Sequence, residues 1–73
     1  DSGIYVEEVI RGSAAEKAGI KVGDIIVKID QVELEKMADL REYIYTKNVG
    51  DTVTLTVQRG TVKKDVTVIL DKK

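Results

Sequence analysis

Between residues 52 and 70 the sequence changes character at every step. Thr52, Thr54 and Thr56 alternate with Val53, Leu55 and Val57. After Arg59-Gly60-Thr61, the positions Val62, Val66, Val68 and Leu70 share one parity, with Lys63, Asp65 and Thr67 on the other. Successive side chains of a strand point to opposite faces, so a period of two describes a strand with one face buried and one solvated. Two such runs around a glycine-containing break predict a β-hairpin. The rest of the chain carries the same bias. Eleven Val, eight Ile and six Thr make up about a third of the 73 residues. Branching at Cβ suits a pleated surface and is mildly unfavourable in a helix, so a sheet should dominate. Ile4 to Ile10 and Asp24 to Ile29 are short and dense in Val and Ile, the pattern of strands buried on both faces.

Two segments break this pattern. Ser13-Ala14-Ala15-Glu16 has the spacing of a capping box, and Gly19 stands where a left-handed residue would end a short helix. A second helix is expected from about Met37 to Lys47, with Met37, Leu40 and Ile44 on one face. Asp39 near its start and Lys47 near its end agree with the helix dipole, although no good N-cap precedes it. Lys72-Lys73 reads as a frayed end, and Lys63 and Lys64 as a solvated face. The fold class is therefore mainly β with two helices, in one domain spanning residues 1–73.

Composition limits the chemistry. The hydrophobic fraction is 42% and the charged fraction 34%, the balance of a folded domain. A chain this short buries only about 60% of the surface its unfolded form exposes, so the core is modest. With no Cys and no His there is no disulfide framework, no zinc site of the usual kinds and no serine–histidine triad within the chain. Neither Ser2 nor Ser13 sits in a nucleophile setting. Twelve basic and thirteen acidic residues leave a net charge of −1, so nucleic acid is not an expected partner. No apolar run approaches the roughly 20 residues that span a bilayer. A binding module without metal or cofactor is the reading, and not an enzyme.

The segments between the expected strands and helices carry a resemblance. VIRGSAAEKAGIKVGD at positions 9–24, followed by IIVKID and later by GDTVTLTVQRG, resembles a PDZ domain of the bacterial type. The similarity runs from Ser2 to Leu70, and DSGIYVEEV and MADLREYIYTKNVGDTVTL look most like the PDZ domain of HtrA-type (Deg-type) serine proteases. Site-2 metalloproteases and C-terminal processing proteases carry similar segments and remain alternative homes. Much of the signature is architectural. Gly12, Gly19 and Gly23 fall at chain reversals where a positive φ is cheap only for glycine. Ala14, Ala15 and Ala18 let the short helix approach the sheet, and Asp24 could accept turn N–H groups. Where the family favours proline, near positions 11, 14 and 22, this chain has Arg11, Ala14 and Val22. Gln31 stands where the family favours glycine, at a strain of roughly 1 kcal/mol if its φ is positive.

The resemblance implies a PDZ-like, partly open β-barrel or sandwich that works by β-augmentation. A peptide adds a strand beside the long helix, its terminal carboxylate is held by backbone N–H groups, and a side chain enters an apolar pocket. By position, Met37, Arg41, Ile44 and Tyr45 would face the peptide and Leu40 would lie deeper. The same residues also fit plainer roles: Met37, Leu40 and Ile44 as core, Arg41 as a solvated helix residue, and Tyr43 and Tyr45 as surface cover. In HtrA-type proteins the carboxylate-binding loop and its strand precede the DSGIYVEEV stretch, so this domain is expected to be N-terminally truncated. Ile4–Ile10 would then be an exposed edge open to self-association. The implied partners are polypeptide C-termini or unfolded segments and an attached protease domain, in a protein of the periplasm or the outer face of the cytoplasmic membrane. A structural or oligomerisation role without a peptide ligand is the other expectation to weigh.

Overall fold

The computed structural model describes residues 3–71; Ser2 and the Lys72-Lys73 end lie outside them. The elements follow as β1 (Ile4–Tyr5), α1 (Ala14–Ala18), β2 (Ile25–Ile29), β3 (Val32–Glu33), α2 (Met37–Tyr45), β4 (Thr52–Arg59) and β5 (Val62–Ile69). They form one antiparallel sheet in the order β1-β2-β4-β5, with β3 folded back on β2. The sheet is open, with β1 and β5 at its ends.

The hairpin expected from the alternation is the backbone of this sheet. β4 and β5 pair from Thr52↔Ile69 to Arg59↔Val62, leaving Gly60 and Thr61 as a two-residue loop. Gly60 has φ 63°, and Thr61 is not among the residues with positive φ, the pattern of a type II′ turn. Val53, Leu55 and Val57 are buried, and Val66, Val68 and Leu70 meet them across the strands. Val62 departs from its parity group. It is 58% exposed because the tip of the hairpin extends past the core.

The first expected strand is much shorter than the sequence suggested. Only Ile4 and Tyr5 pair with β2, at Ile4↔Ile26 and Tyr5↔Ile25. Val6 continues the pairing by exchanging hydrogen bonds with Gly23 and Asp24, both at 2.9 Å. The partner chain then reverses through Gly23, whose φ is 97°, so residues 7–10 have nothing on that side to pair with. Burial on both faces is also not what forms. Ile4 and Val6 are buried while Tyr5 is exposed, and Ile26 and Ile29 are buried while Ile25, Val27 and Lys28 are half-buried. A bulge at Val27 shifts the β2–β4 register, and its carbonyl accepts the N–H of the fully buried Leu34.

Both helices have local causes. The Ser13 hydroxyl accepts the Glu16 N–H at 3.2 Å, and Glu16 reaches back one residue further than a standard capping box, to the Gly12 N–H at 2.7 Å. Gly19 closes α1 in the left-handed region at φ 94°. α2 ends at Tyr45, two residues short of Lys47, with Thr46 as C-cap. Its missing N-cap is supplied from inside: the Asp39 carboxylate accepts the N–H groups of Glu35 and Lys36 at 3.1 and 3.2 Å. Neither helix contains a fully buried residue, so both lie on the sheet as half-covered lids.

Candidate functional site

The chief concavity runs along α2. One part, of about 410 Å³, lies between the two helices and the sheet, with Leu40, Arg41, Ile44 and Tyr45 along one wall. A second part, of about 350 Å³, opens between β1 with the residues after it and the first turn of α2, where Met37 stands opposite Glu7 and Glu8. Ala15, Ile20, Ile26 and Leu40 line both, so the two adjoin and together make an apolar trough along α2. Its walls follow from the sequence. Small side chains at Ala14 and Ala15 keep α1 low, and the short β1 leaves its end open.

The helix residues expected at the site fall along this trough. Met37 is 46% exposed at one end, while Ile44 is half-buried and packs against the core at the other. Arg41 and Tyr45 form the outer rim, with Tyr45 66% exposed. Leu40 lies deeper, half-buried and shared by both parts of the trough, as expected. Among the described residues no group of three His, Cys, Asp or Glu is placed to hold a metal.

Two polar ties hold the walls, and the sequence indicated neither in full. Asp24, 1% exposed, accepts the Lys21 N–H at 3.0 Å, the turn bond expected of it. It also accepts a two-pronged bond from Arg59 at the end of β4, with both contacts at 2.8 Å. The same guanidinium donates to the Gly19 carbonyl at 3.0 Å, so it pins the end of α1 to the sheet. Hydrogen bonding from Arg59 outweighs burial and holds the Asp24 carboxyl down to about 2 from the usual 3.8.

The second tie is at the β2–β3 turn. Asp30 and Gln31 both have positive φ, 49° and 76°, which makes a two-residue turn of type I′ between Ile29 and Val32. The positive φ expected as the condition for strain at Gln31 is present. The left-handed turn aims the Asp30 carboxylate back at the sheet and at α2. One oxygen accepts the Thr54 N–H at 2.8 Å, and the other accepts the Tyr43 hydroxyl at 2.8 Å. Lys47 lies 4.0 Å from the second oxygen and 5.2 Å from the centre of the Tyr43 ring. The Thr54 N–H, aided by the Tyr43 hydroxyl and Lys47 against the opposing effect of burial, lowers the Asp30 pKa. Tyr43 is thus more than surface cover. Only the left-handed φ of Asp30 connects the two, and no spacing rule in the sequence signals it.

The sequence that builds these elements, with the Gly-Ser-x-Ala-x-x-Ala-Gly run around α1, matches a known family pattern. The family pattern described as "PDZ domain" covers residues 1–70. The chain belongs to the PDZ domain family. Among the relatives of this PDZ domain, it is 43% identical over 70 residues to the "Serine protease Do-like HtrA" of Lactobacillus helveticus, covering 96% of this chain and 17% of the relative. It is 41% identical over 69 residues to the "Periplasmic pH-dependent serine endoprotease DegQ" of Escherichia coli strain K12, covering 94% of this chain and 15% of the relative. The chain therefore spans about a sixth of the length of these proteins. In three dimensions it superimposes with a TM-score of 0.84 on the HtrA3 PDZ domain, solved with the phage-derived ligand FGRWV. That match has 35% identity and covers 93% of this chain and 62% of the other. The PDZ fold and the similarity to HtrA-type PDZ regions are thus findings on sequence and structure together.

Proposed function

We propose that this PDZ domain is the peptide-binding module of an HtrA-type serine endopeptidase, taking up C-terminal or unfolded polypeptide by β-augmentation. The observation that carries the reading is the apolar trough along α2, on a domain similar to one solved with a peptide. Met37, Arg41, Ile44 and Tyr45 are the residues proposed to meet the peptide. Met37, with its flexible thioether, suits a pocket that accepts several side chains. The catalytic residues of the protease lie in another part of that protein, which the similarity to serine proteases over a sixth of their length supports. The relative named as periplasmic supports an extracytoplasmic location.

In this reading a ligand-side strand with a carboxylate-binding loop packs beside β1 and covers part of the trough, leaving the peptide between that strand and α2. When that strand is absent, the exposed edge along Ile4–Ile10 is where copies of the chain would associate.

The test is fluorescence anisotropy with the pentapeptide FGRWV, as the free acid and as the C-terminal amide, on the protein with its preceding segment included. The free acid is expected to bind and the amide to bind at least tenfold more weakly. Met37→Ala is expected to weaken binding several-fold while changing stability by less than about 1 kcal/mol, as for a side chain only about half covered. Equal binding of acid and amide refutes carboxylate capture. Absence of binding to a library of C-terminal peptides leaves a structural role toward the attached protease as the better reading.

A further inference from the structure

α2 carries no fully buried residue: Leu40, Tyr43 and Ile44 pack only partly buried against the core, and Leu40 and Ile44 also line the trough. Its position therefore depends on its flanks more than a fully packed helix would. On the flank away from the trough, Tyr43 meets the β2–β3 turn, where the Asp30 carboxylate bridges the β4 backbone and the Tyr43 hydroxyl at 2.8 Å each.

The turn geometry makes this bridge rigid. The Asp30 N–H donates to the Thr54 carbonyl at 2.9 Å, and the Asp30 carboxylate accepts the Thr54 N–H in return. A strand residue would offer its own carbonyl for that second bond. Asp30, at φ 49°, offers its side chain instead, and one oxygen stays free for a group outside the sheet. Asp is one of the few residues that tolerates this conformation. The Tyr43 hydroxyl takes the remaining oxygen, and Lys47, one turn further along, adds its charge at 4.0 Å. Lys47 lies just past the Thr46 C-cap of α2, four residues after Tyr43.

We propose that the Asp30–Tyr43 hydrogen bond is a positioning latch. It fixes α2 against the β2–β4 pair and thereby sets the width of the trough and its affinity for a peptide. The latch rests on the reading of α2 as the wall of the binding site. Asp30 and Tyr43 are positioning residues and touch no ligand themselves.

The experiment compares Tyr43→Phe and Asp30→Asn with the unaltered protein, intact, by hydrogen exchange and by FGRWV anisotropy. Tyr43→Phe removes only the hydroxyl and keeps the ring against the core. Asp30→Asn keeps an oxygen for the Thr54 N–H and an amide group facing the Tyr43 hydroxyl, which can then act as acceptor. For Tyr43→Phe the α2 amides are expected to exchange about tenfold faster, with β4 and β5 amides unchanged. FGRWV binding is expected to weaken by about tenfold, the scale of one net hydrogen bond to a charged group. Asp30→Asn is expected to fall between Tyr43→Phe and the unaltered protein in both measurements, because a neutral hydrogen bond replaces the charged one. Unchanged α2 exchange in Tyr43→Phe overturns the latch, and so does faster α2 exchange with unchanged affinity. If the unaltered protein binds no peptide, the functional reading fails. The latch is then judged by α2 exchange alone, selective acceleration supporting it and its absence overturning it.

Discussion

Replacing Asp24 by Asn tests whether the buried carboxylate contributes stability through its charge. Asp24 is 1% exposed, and Arg59 grips both of its oxygens at 2.8 Å. Its carboxyl is held at about 2, against 3.8 when unperturbed. At 1.36 kcal/mol per unit, that difference corresponds to about 2 kcal/mol of stability carried by the ionised form. The sign follows from the direction of the shift. The folded value lies below the unfolded one, so the contribution is fully present above the unfolded value and is lost as the pH falls through about 2. Asp24→Asn keeps the size of the side chain and an oxygen for the Lys21 N–H, but leaves Arg59 facing a neutral amide. At pH 7 the variant is expected to be less stable by about 2 kcal/mol, or on the order of 10 °C in Tm for a domain of this size. A domain of 73 residues with roughly 4–11 kcal/mol to lose remains folded. The assay is urea unfolding followed by far-ultraviolet circular dichroism at several pH values between 2 and 7. The gap between the two proteins should close toward pH 2. Asp30 also titrates in the acid range, but it does so in both proteins, so the difference between them isolates Asp24. A gap that stays constant from pH 7 to pH 2 would refute the electrostatic account and leave shape as the cause.

Other substitutions probe the backbone. Gly3→Ala should destabilise by about 1–3 kcal/mol, because the added Cβ would meet Ile25 Cγ2 at 2.7 Å and φ there is 118°; thermal unfolding reads it directly. Gln31→Gly should raise stability by about 0.5–1 kcal/mol, since relief of the left-handed strain at φ 76° exceeds the added freedom of the unfolded chain; a lower Tm would show that the turn carries no strain.

What could be read in the sequence is what nearby residues decide. The period of two over residues 52–70 and the glycine at the tip give β4, β5 and their turn, since strand alternation and turn chemistry act within a few residues. Ser13, Glu16 and Gly19 bound α1 for the same reason. The periodicity of Met37, Leu40 and Ile44 places α2 and its apolar face, although Asp39 caps it in a way the preceding residues do not announce. The resemblance of positions 9–24 to PDZ domains carries the fold beyond local rules. The expected strand Ile4–Ile10 shows the limit: a run of apolar residues shows extended tendency but not how far its partner runs beside it. Gly23 turns that partner away, and the strand stops after two paired residues.

The candidate site divides along the same line. The wall residues Met37, Arg41, Ile44 and Tyr45 could be named from their place on one helix and from the family likeness, because helical spacing fixes which of them share a face. The bonds that hold that wall could not. Arg59 and Asp24 are 35 residues apart, and Tyr43 and Asp30 are 13 apart, on elements whose approach depends on the sheet order and on a left-handed turn. By itself the sequence determined a β-rich PDZ domain with a small core and neither His nor Cys. Only the tertiary structure decided which charges are paired and that the trough along α2 is open. Those outcomes depend on distances between segments far apart in the chain, which local periodicity and propensity do not encode.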